Sequence, residues 1–139
     1  MPLVRIDLPA TTSSIEAAAV SRAVHQALVD LFSVPQDDLF HVVARRAPGE
    51  LVCSPSYVGI EHSDKVAFVQ IVCSPGRTVG LKEALYARIA ADVEAGTGFR
   101  ADDVIINLVE TARENWSFGA GLAHYAVADR QRPAGRPGS

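Results

Sequence analysis

Hydrophobic positions along the chain follow two patterns, and each pattern occurs twice. A short β-branched run, Leu3–Leu8, gives way to a polar stretch. Apolar residues then recur at Val20, Val24 and Leu28, a spacing that puts them on one face of a helix. From Val66 the succession returns: a run to Cys73, a polar stretch, then Leu85, Ile89 and Val93 at the same spacing. Residues 3–43 overlay residues 68–108 at a constant offset of 65 without a gap. Leu3-Val4-Arg5-Ile6 falls on Phe68-Val69-Gln70-Ile71, and Asp37-Asp38-Leu39-Phe40 falls on Asp102-Asp103-Val104-Ile105. A repeat of this kind governs the fold, so it is read before any single residue.

Each β-branched run is strand chemistry. Ser13 and Glu16 form a Ser-x-x-Glu capping box that opens a helix over about residues 14–32. Its counterpart starts near Thr78 and stops at Gly96 or Gly98, where glycine is expected to supply a left-handed C-terminal cap. Second strands follow at Leu39–Val43 and Val104–Val109. The unit is β-α-β, present twice. A β-α-β crossover makes its strands parallel, and two such units pair most simply about a pseudo-twofold axis with their first strands antiparallel at the centre. The predicted fold is α+β: one four-stranded core sheet with helices on one face, plus short edge strands. It forms a single domain over residues 1–127, and residues 128–139 are expected to be a disordered tail. From Arg130 on, the chain holds only Arg, Pro, Gly, Gln, Ala and Ser, and nothing there could bury against a core.

This topology has a chemical consequence. It gathers at one edge of the sheet the start of strand 3–8, the start of strand 39–43 and the end of strand 68–73. Pro2, Asp38 and Arg77 are the polar or reactive residues at those three ends. The chain begins Met-Pro, and a small second residue allows cytoplasmic removal of the initiator, leaving Pro2 as a free secondary amine. An ordinary α-amine titrates at about 7.7–8.0, and burial disfavours its charged form, so such a group serves as base or acid near neutrality. Proline also simply suits the first position of a strand. The equivalent position in the second half is Ala67, an internal residue with no free amine, so one half can carry a reaction that the other cannot. Arg77 lies between a strand end and a helix start, in Ser74-Pro75-Gly76-Arg77-Thr78. The helix's unpaired N–H groups and the guanidinium fork together suit a carboxylate. Asp38 could accept a proton, align a water or hold a prolinium. The matching Asp102-Asp103 pair equally favours a structural role for Asp37 and Asp38.

Composition narrows the partners. With 139 residues and a net charge of −3, the chain is a single acidic domain without the basic stripe that a phosphate backbone requires, so nucleic acid is not an expected partner. Two cysteines, Cys53 and Cys73, with no second Cys or His pair at ligand spacing, argue against a zinc site or a disulfide framework and for a reducing cytoplasm. No run of about 18 apolar residues and no signal-like N-terminus supports membrane spanning or secretion. His25, His41, His62 and His124 are scattered and read as structural, and Cys73 reads as an inert core thiol. Gly119-Ala120-Gly121 lacks the third glycine and the strand-turn-helix context of a phosphate loop.

Met-Pro-Leu-Val-Arg-Ile-Asp-Leu at the start, Val34-Pro35-Gln36-Asp37-Asp38, Pro75-Gly76-Arg77-Thr78 and Glu114-Asn115-Trp116-Ser117-Phe118-Gly119 together resemble the tautomerase superfamily. Within it they resemble the group typified by malonate semialdehyde decarboxylase. The resemblance covers about residues 2–127. It implies a β-α-β pseudo-repeat, a homotrimer, no cofactor or metal, and an amino-terminal proline as the central catalytic group. The family's catalytic proline then falls on Pro2, its aspartate on Asp38 and the second of its two arginines on Arg77, with apolar pocket lining on Trp116, Phe118 and Tyr125. The decarboxylase's additional arginine falls on Pro75, so half of the carboxylate clamp is missing. Decarboxylation of a 3-oxo acid needs that carboxylate held firmly, whereas tautomerisation asks for one anchor and a proton carrier. The expected activity is therefore proton transfer on a small 2-oxo or enol carboxylic acid. The alternatives are decarboxylation or hydration of a small 3-oxo or unsaturated acid, or a non-catalytic trimeric binding protein should Met1 be retained, since an acylated proline nitrogen has no useful basicity.

Overall fold

The computed structural model describes residues 1–133. In chain order the elements are β1 (Leu3–Pro9), α1 (Ser14–Phe32), β2 (His41–Arg46), β3 (Ser56–Tyr57), β4 (Ile60–Glu61), β5 (Ala67–Cys73), α2 (Val79–Gly96), β6 (Val104–Glu110) and α3 (His124–Arg130). Four strands form one sheet in the order β2-β1-β5-β6, and β3 pairs with β4 in a separate hairpin. Both crossovers are parallel, β1 with β2 and β5 with β6, and β1 runs antiparallel to β5 at the centre. In that central pair Arg5 lies opposite Gln70, its own partner at the 65-residue offset. The pseudo-twofold axis therefore passes between these two residues.

Alternation decides which face of the sheet is covered. Val4, Ile6 and Leu8 of β1 and Val69 and Ile71 of β5 point toward the helices and are buried with Val20, Val24 and Leu28 of α1 and Leu85, Ile89 and Val93 of α2. Each such side chain contributes roughly 1.5–3 kcal/mol over an exposed one, which holds both helices on the same face. The opposite face carries Arg5, Gln70 and Asn107, with Leu3, Phe68, Val72 and Ile105 only half-buried and Val42 and Val109 exposed. Neither helix touches it.

The helix starts follow the capping chemistry. Ser13 accepts the Glu16 N–H at 3.0 Å, and Thr78 accepts the Leu81 N–H at 3.2 Å. The ends do not follow the glycine expectation. Gly96 is the last residue of α2 but does not adopt a left-handed conformation, and neither does Gly98. Thr97 ends that helix by donating its hydroxyl to the Val93 carbonyl at 2.6 Å, satisfying one of the unpaired carbonyls. In α1 the left-handed cap is Ser33, at φ 57°.

Two boundaries differ from the sequence reading. β2 begins at His41 rather than Leu39, because a turn closed by the Asp38 N–H on the Pro35 carbonyl delays the ladder. It continues past Val43 to Arg46, since backbone pairing with β1 and the Arg46–Asp7 ion pair at 2.7 Å carry an edge strand beyond its apolar stretch. The expected tail from residue 128 is helical as far as Arg130, because Arg113 clamps Asp129 with a forked ion pair at 2.9 Å. Residues 134–139 of that expected tail lie outside the described residues.

Candidate active site

The three strand ends do meet. Pro2 is buried at the head of β1, and the amine of Met1 before it lies 4.0 Å from Asp38 Oδ2. Burial holds this amine below its ordinary value. Attraction to Asp38 works against that, while the charges of Arg77 and Arg113 push the same way as burial. Asp38 is shifted in the complementary direction: burial raises its carboxyl, the amine opposes the rise, and the neighbouring Asp37 adds to it. Both groups are thus drawn toward their neutral forms. Asp38 Oδ1 is buried and has no hydrogen-bond partner among the described residues.

The loop that carries Asp38 is fixed from α1. His25, almost fully buried, donates from Nε2 to the Gln36 carbonyl at 2.8 Å. His41 Nδ1 meets the Ser21 hydroxyl at 2.9 Å, and its ring stands edge-on to His25 at 5.8 Å. Burial, followed by the charge of His25, pushes His41 down to about 4, so it is neutral at ordinary pH. His25 thus fixes the backbone of the loop, and His41 ties the start of β2 to α1. Burial likewise raises the Cys73 thiol, which keeps it protonated.

Arg77 occupies the edge expected of it, and its charge is felt at the Met1 amine. Its guanidinium donates to the Ser74 carbonyl and to the Phe32 carbonyl, both at 3.0 Å, and lies 4.8 Å from the centre of the Phe32 ring. Phe32 is the last residue of α1, so Arg77 also caps that helix with a positive charge at its negative end. No carboxylate among the described residues lies within ion-pair distance of Arg77. At the N-terminus of α2 the Thr78 hydroxyl takes the Leu81 N–H, and the Arg77 guanidinium adds a positive charge beside that helix start. Pro75 is exposed and contributes no polar group.

Trp116, Phe118 and Tyr125 form one cluster, as the sequence suggests. Trp116 stacks on Phe118 at 5.9 Å between centroids, and Tyr125 meets the same ring edge-on at 4.9 Å. Burial raises the Tyr125 hydroxyl, and the charge of Asp38 raises it further, which joins the cluster to the strand ends. Trp116 Nε1 is buried without a partner. Two members are absent from the sequence reading. Phe40 packs on Phe118 at 6.1 Å and ties the aromatic segment to the Asp38 loop. The repeat overlays it on Ile105, which marks it only as a strand-like apolar residue. Arg113 lies 4.2 Å over the Tyr125 ring while clamping Asp129, and no motif announces it. His124 accepts the Phe118 N–H at 3.3 Å, a structural role.

The arrangement offers a buried amine, a carboxyl with one unsatisfied oxygen, a guanidinium with no carboxylate partner among the described residues and an aromatic wall. Among the described residues no group of three or more His, Cys, Asp or Glu is arranged to hold a metal, and no helix is long and apolar enough to cross a membrane.

A model of the tautomerase enzyme family matches residues 38–119. The probable tautomerase YusQ of Bacillus subtilis (strain 168) is 34% identical over 123 residues, covering 88% of this chain and 97% of its own. The solved structure of FG41 malonate semialdehyde decarboxylase inhibited by 3-bromopropiolate has a TM-score of 0.85 at 30% identity, over 94% of this chain and 99% of that one. A malonate semialdehyde decarboxylase solved in wild-type, mutant and inactivated forms has a TM-score of 0.83 at 31% identity, over 91% and 98% of the two chains. A symmetric trimer of fused 4-OT shares the fold, with a TM-score of 0.72 at 23% identity over 89% and 98%. The chain belongs to the tautomerase superfamily. Within it, the chain falls with the malonate semialdehyde decarboxylase-like group.

Proposed function

We propose that Met1 is removed and that the exposed Pro2 nitrogen carries the proton in a cofactor-independent tautomerase acting on a small 2-oxo or enol carboxylic acid. The observation that supports this best is the enclosure of the chain's first amine, beside Asp38 and within reach of the charge of Arg77. The same burial that lowers the Met1 amine would act on Pro2, leaving it neutral at physiological pH and able to accept a proton. Arg77, anchored by two carbonyls, holds the substrate carboxylate. Pro2 takes a proton from the enol oxygen, or from the carbon next to the carbonyl, and returns it at the other position. The aromatic wall lowers the local dielectric, which strengthens the Arg77 contact. Asp38, with its carboxyl raised, balances the prolinium formed midway.

A second reading, decarboxylation or hydration, is favoured by the likeness to malonate semialdehyde decarboxylase, described for both decarboxylase and hydratase activities. The unsatisfied Asp38 Oδ1 suits a role in aligning water. Against decarboxylation stands Pro75, which leaves a single arginine for the carboxylate. The uncovered sheet face, with Leu3, Phe68, Val72 and Ile105 half-buried, supports assembly as a homotrimer, the state of the similar fused 4-OT.

Intact mass of the purified protein and the Pro2→Ala variant test the proposal together. The mass is expected to lack one methionine, and Pro2→Ala to lower kcat/KM by about 100-fold or more with an unchanged circular dichroism spectrum. A retained methionine would leave a binding protein, and full activity in Pro2→Ala would refute the mechanism.

A further inference from the structure

Two recesses open on the surface away from the strand ends. One lies on the uncovered sheet face by Arg5, Phe68 and Gln70, the other by Thr11, Arg46 and Cys53, and neither is lined by Pro2, Asp38 or Arg77. The space beside Pro2 is taken up by Met1, whose side chain is only 6% exposed. A chain terminus ordinarily trails in solvent unless something holds it. Here the thioether chain is buried, and the amine of the same residue lies 4.0 Å from Asp38 and feels the charges of Arg77 and Arg113. Asp38 Oδ1 and Ser74 Oγ at these strand ends and Trp116 Nε1 in the aromatic cluster are buried with no partner among the described residues, as are polar atoms of Thr12, His25 and His41. Buried polar groups in folded proteins are usually paired, so the unmatched atoms at the strand ends suit a polar ligand.

We infer that Met1 occupies the place of the substrate's own side chain, and that the substrate is a 2-oxo or enol acid bearing an unbranched apolar substituent about as long as a methionine side chain. The inference rests on the proposed role of Pro2. Met1 Cα is two bonds from the Pro2 nitrogen, close to where a substrate carbon would sit on approaching that nitrogen to about 3–3.5 Å. The Met1 side chain branches from that point into the protein. Removing Met1 frees this apolar volume, and a substrate with a matching chain refills it while its carboxylate turns to Arg77 and its carbonyl oxygen to the unpaired donors. Burying each added methylene is worth about fourfold in affinity for whatever state the enzyme binds. The chain-length profile therefore rises and then falls once the substituent outgrows the space.

The test uses the full chain with Met1 loss verified by mass and a series of 2-oxo acids: 2-oxobutanoate, 2-oxopentanoate, 2-oxohexanoate, 4-methylthio-2-oxobutanoate and 2-oxooctanoate. Exchange of the C3 protons in deuterium oxide, followed by NMR, reads proton transfer. Quenching of the single tryptophan, Trp116, reads binding without turnover. The expected kcat/KM rises about fourfold per methylene to 2-oxohexanoate and the methylthio acid, then drops for 2-oxooctanoate, with affinities in the same order. A flat or falling profile, with exchange still dependent on Pro2, overturns the inference and leaves the tautomerase reading standing. Affinities that follow the expected order without any exchange uphold the pocket and remove the reaction. Affinities that are flat in the absence of exchange overturn both.

Discussion

Asp38 and Asp103 occupy equivalent positions in the two halves, 65 residues apart, yet their surroundings are opposite. Asp103 is 1% exposed and fully engaged. Oδ1 accepts from the Ser63 N–H at 2.8 Å and Oδ2 from the Ser63 hydroxyl at 2.6 Å, and Arg100 donates to both oxygens. Burial alone would raise its carboxyl. The Arg100 and Ser63 hydrogen bonds outweigh that and hold it at about 2. Asp38 has an amine at 4.0 Å, one oxygen without a partner among the described residues and a raised carboxyl. The same aspartate is therefore fully bonded at one edge and left with an unpartnered oxygen at the other. Pro2 and Arg77 extend the contrast, since their counterparts are Ala67 and Thr12.

Exchanging the carboxylates for amides breaks this comparison most severely. Asp103→Asn removes the charge that Arg100 and Ser63 were arranged to receive, and a loss of about 2–3 kcal/mol is expected. This lies below the usual cost of breaking a buried ion pair because Arg100 is half exposed. Activity per folded molecule should hardly change. Asp38→Asn should do the reverse: a stability change under about 1 kcal/mol, because no close partner is lost, and a fall in kcat of roughly 10- to 100-fold. Urea unfolding and exchange kinetics on both variants check this. Similar stability losses at the two sites would mean that Asp38 is structural as well.

Why this contrast could not be read from the sequence is itself physical. The repeat, and with it both crossovers and the core positions, is legible because each half must bury an apolar helix stripe on an alternating strand. Pro2, Asp38 and Arg77 are legible as neighbours because they sit at strand ends, and topology alone brings strand ends together. What satisfies Asp103 is Arg100, whose counterpart is Pro35, together with Ser63, which comes from residues 44–67 between the repeats and has no counterpart in the pattern. Phe40, Arg113 and the short helix α3 join the site through contacts between distant segments, and a seven-residue helix held by one ion pair and an aromatic edge leaves no periodic trace. The assignment of Asp38 thus depends on a difference that only the folded chain contains.

The arginine is the next point at which the halves can be made alike. Arg77→Thr gives the first site the residue found at Thr12. Loss of a charged donor should raise KM for 2-oxo acids by roughly 10- to 100-fold. A neutral ketone of the same length should lose little. The Phe32 carbonyl also loses its donor at the end of α1, so about 1 kcal/mol of stability should go with it. Equal kinetic losses for acid and ketone would assign Arg77 to the helix end alone.

The last difference between the halves concerns pH, and it leaves neutral conditions almost untouched. His25 and His41 belong to the first half only, where the second half has Ala90 and Ile106. Burial holds His41 at about 4, against an ordinary value of about 6.5 in the unfolded chain. Between those values the unfolded chain binds the proton more readily than the folded one, so stability falls as pH drops from about 6.5 to 4. After burial, the neighbouring His25 is the one charge that shifts His41, and it acts in the same direction. Asp103 adds its own loss at lower pH, because its folded value of about 2 lies below the unfolded one and its contribution disappears as pH falls from about 4 to 2. The two windows are separable. His41→Ile, which copies Ile106, should flatten the upper window by about 2–3 kcal/mol and leave the lower one intact, while Asp103→Asn should do the opposite. Unfolding free energies measured from pH 7 to about pH 2 decide it: an upper window that survives in His41→Ile would mean that the titrating group is not the imidazole that packs against the loop of Asp38.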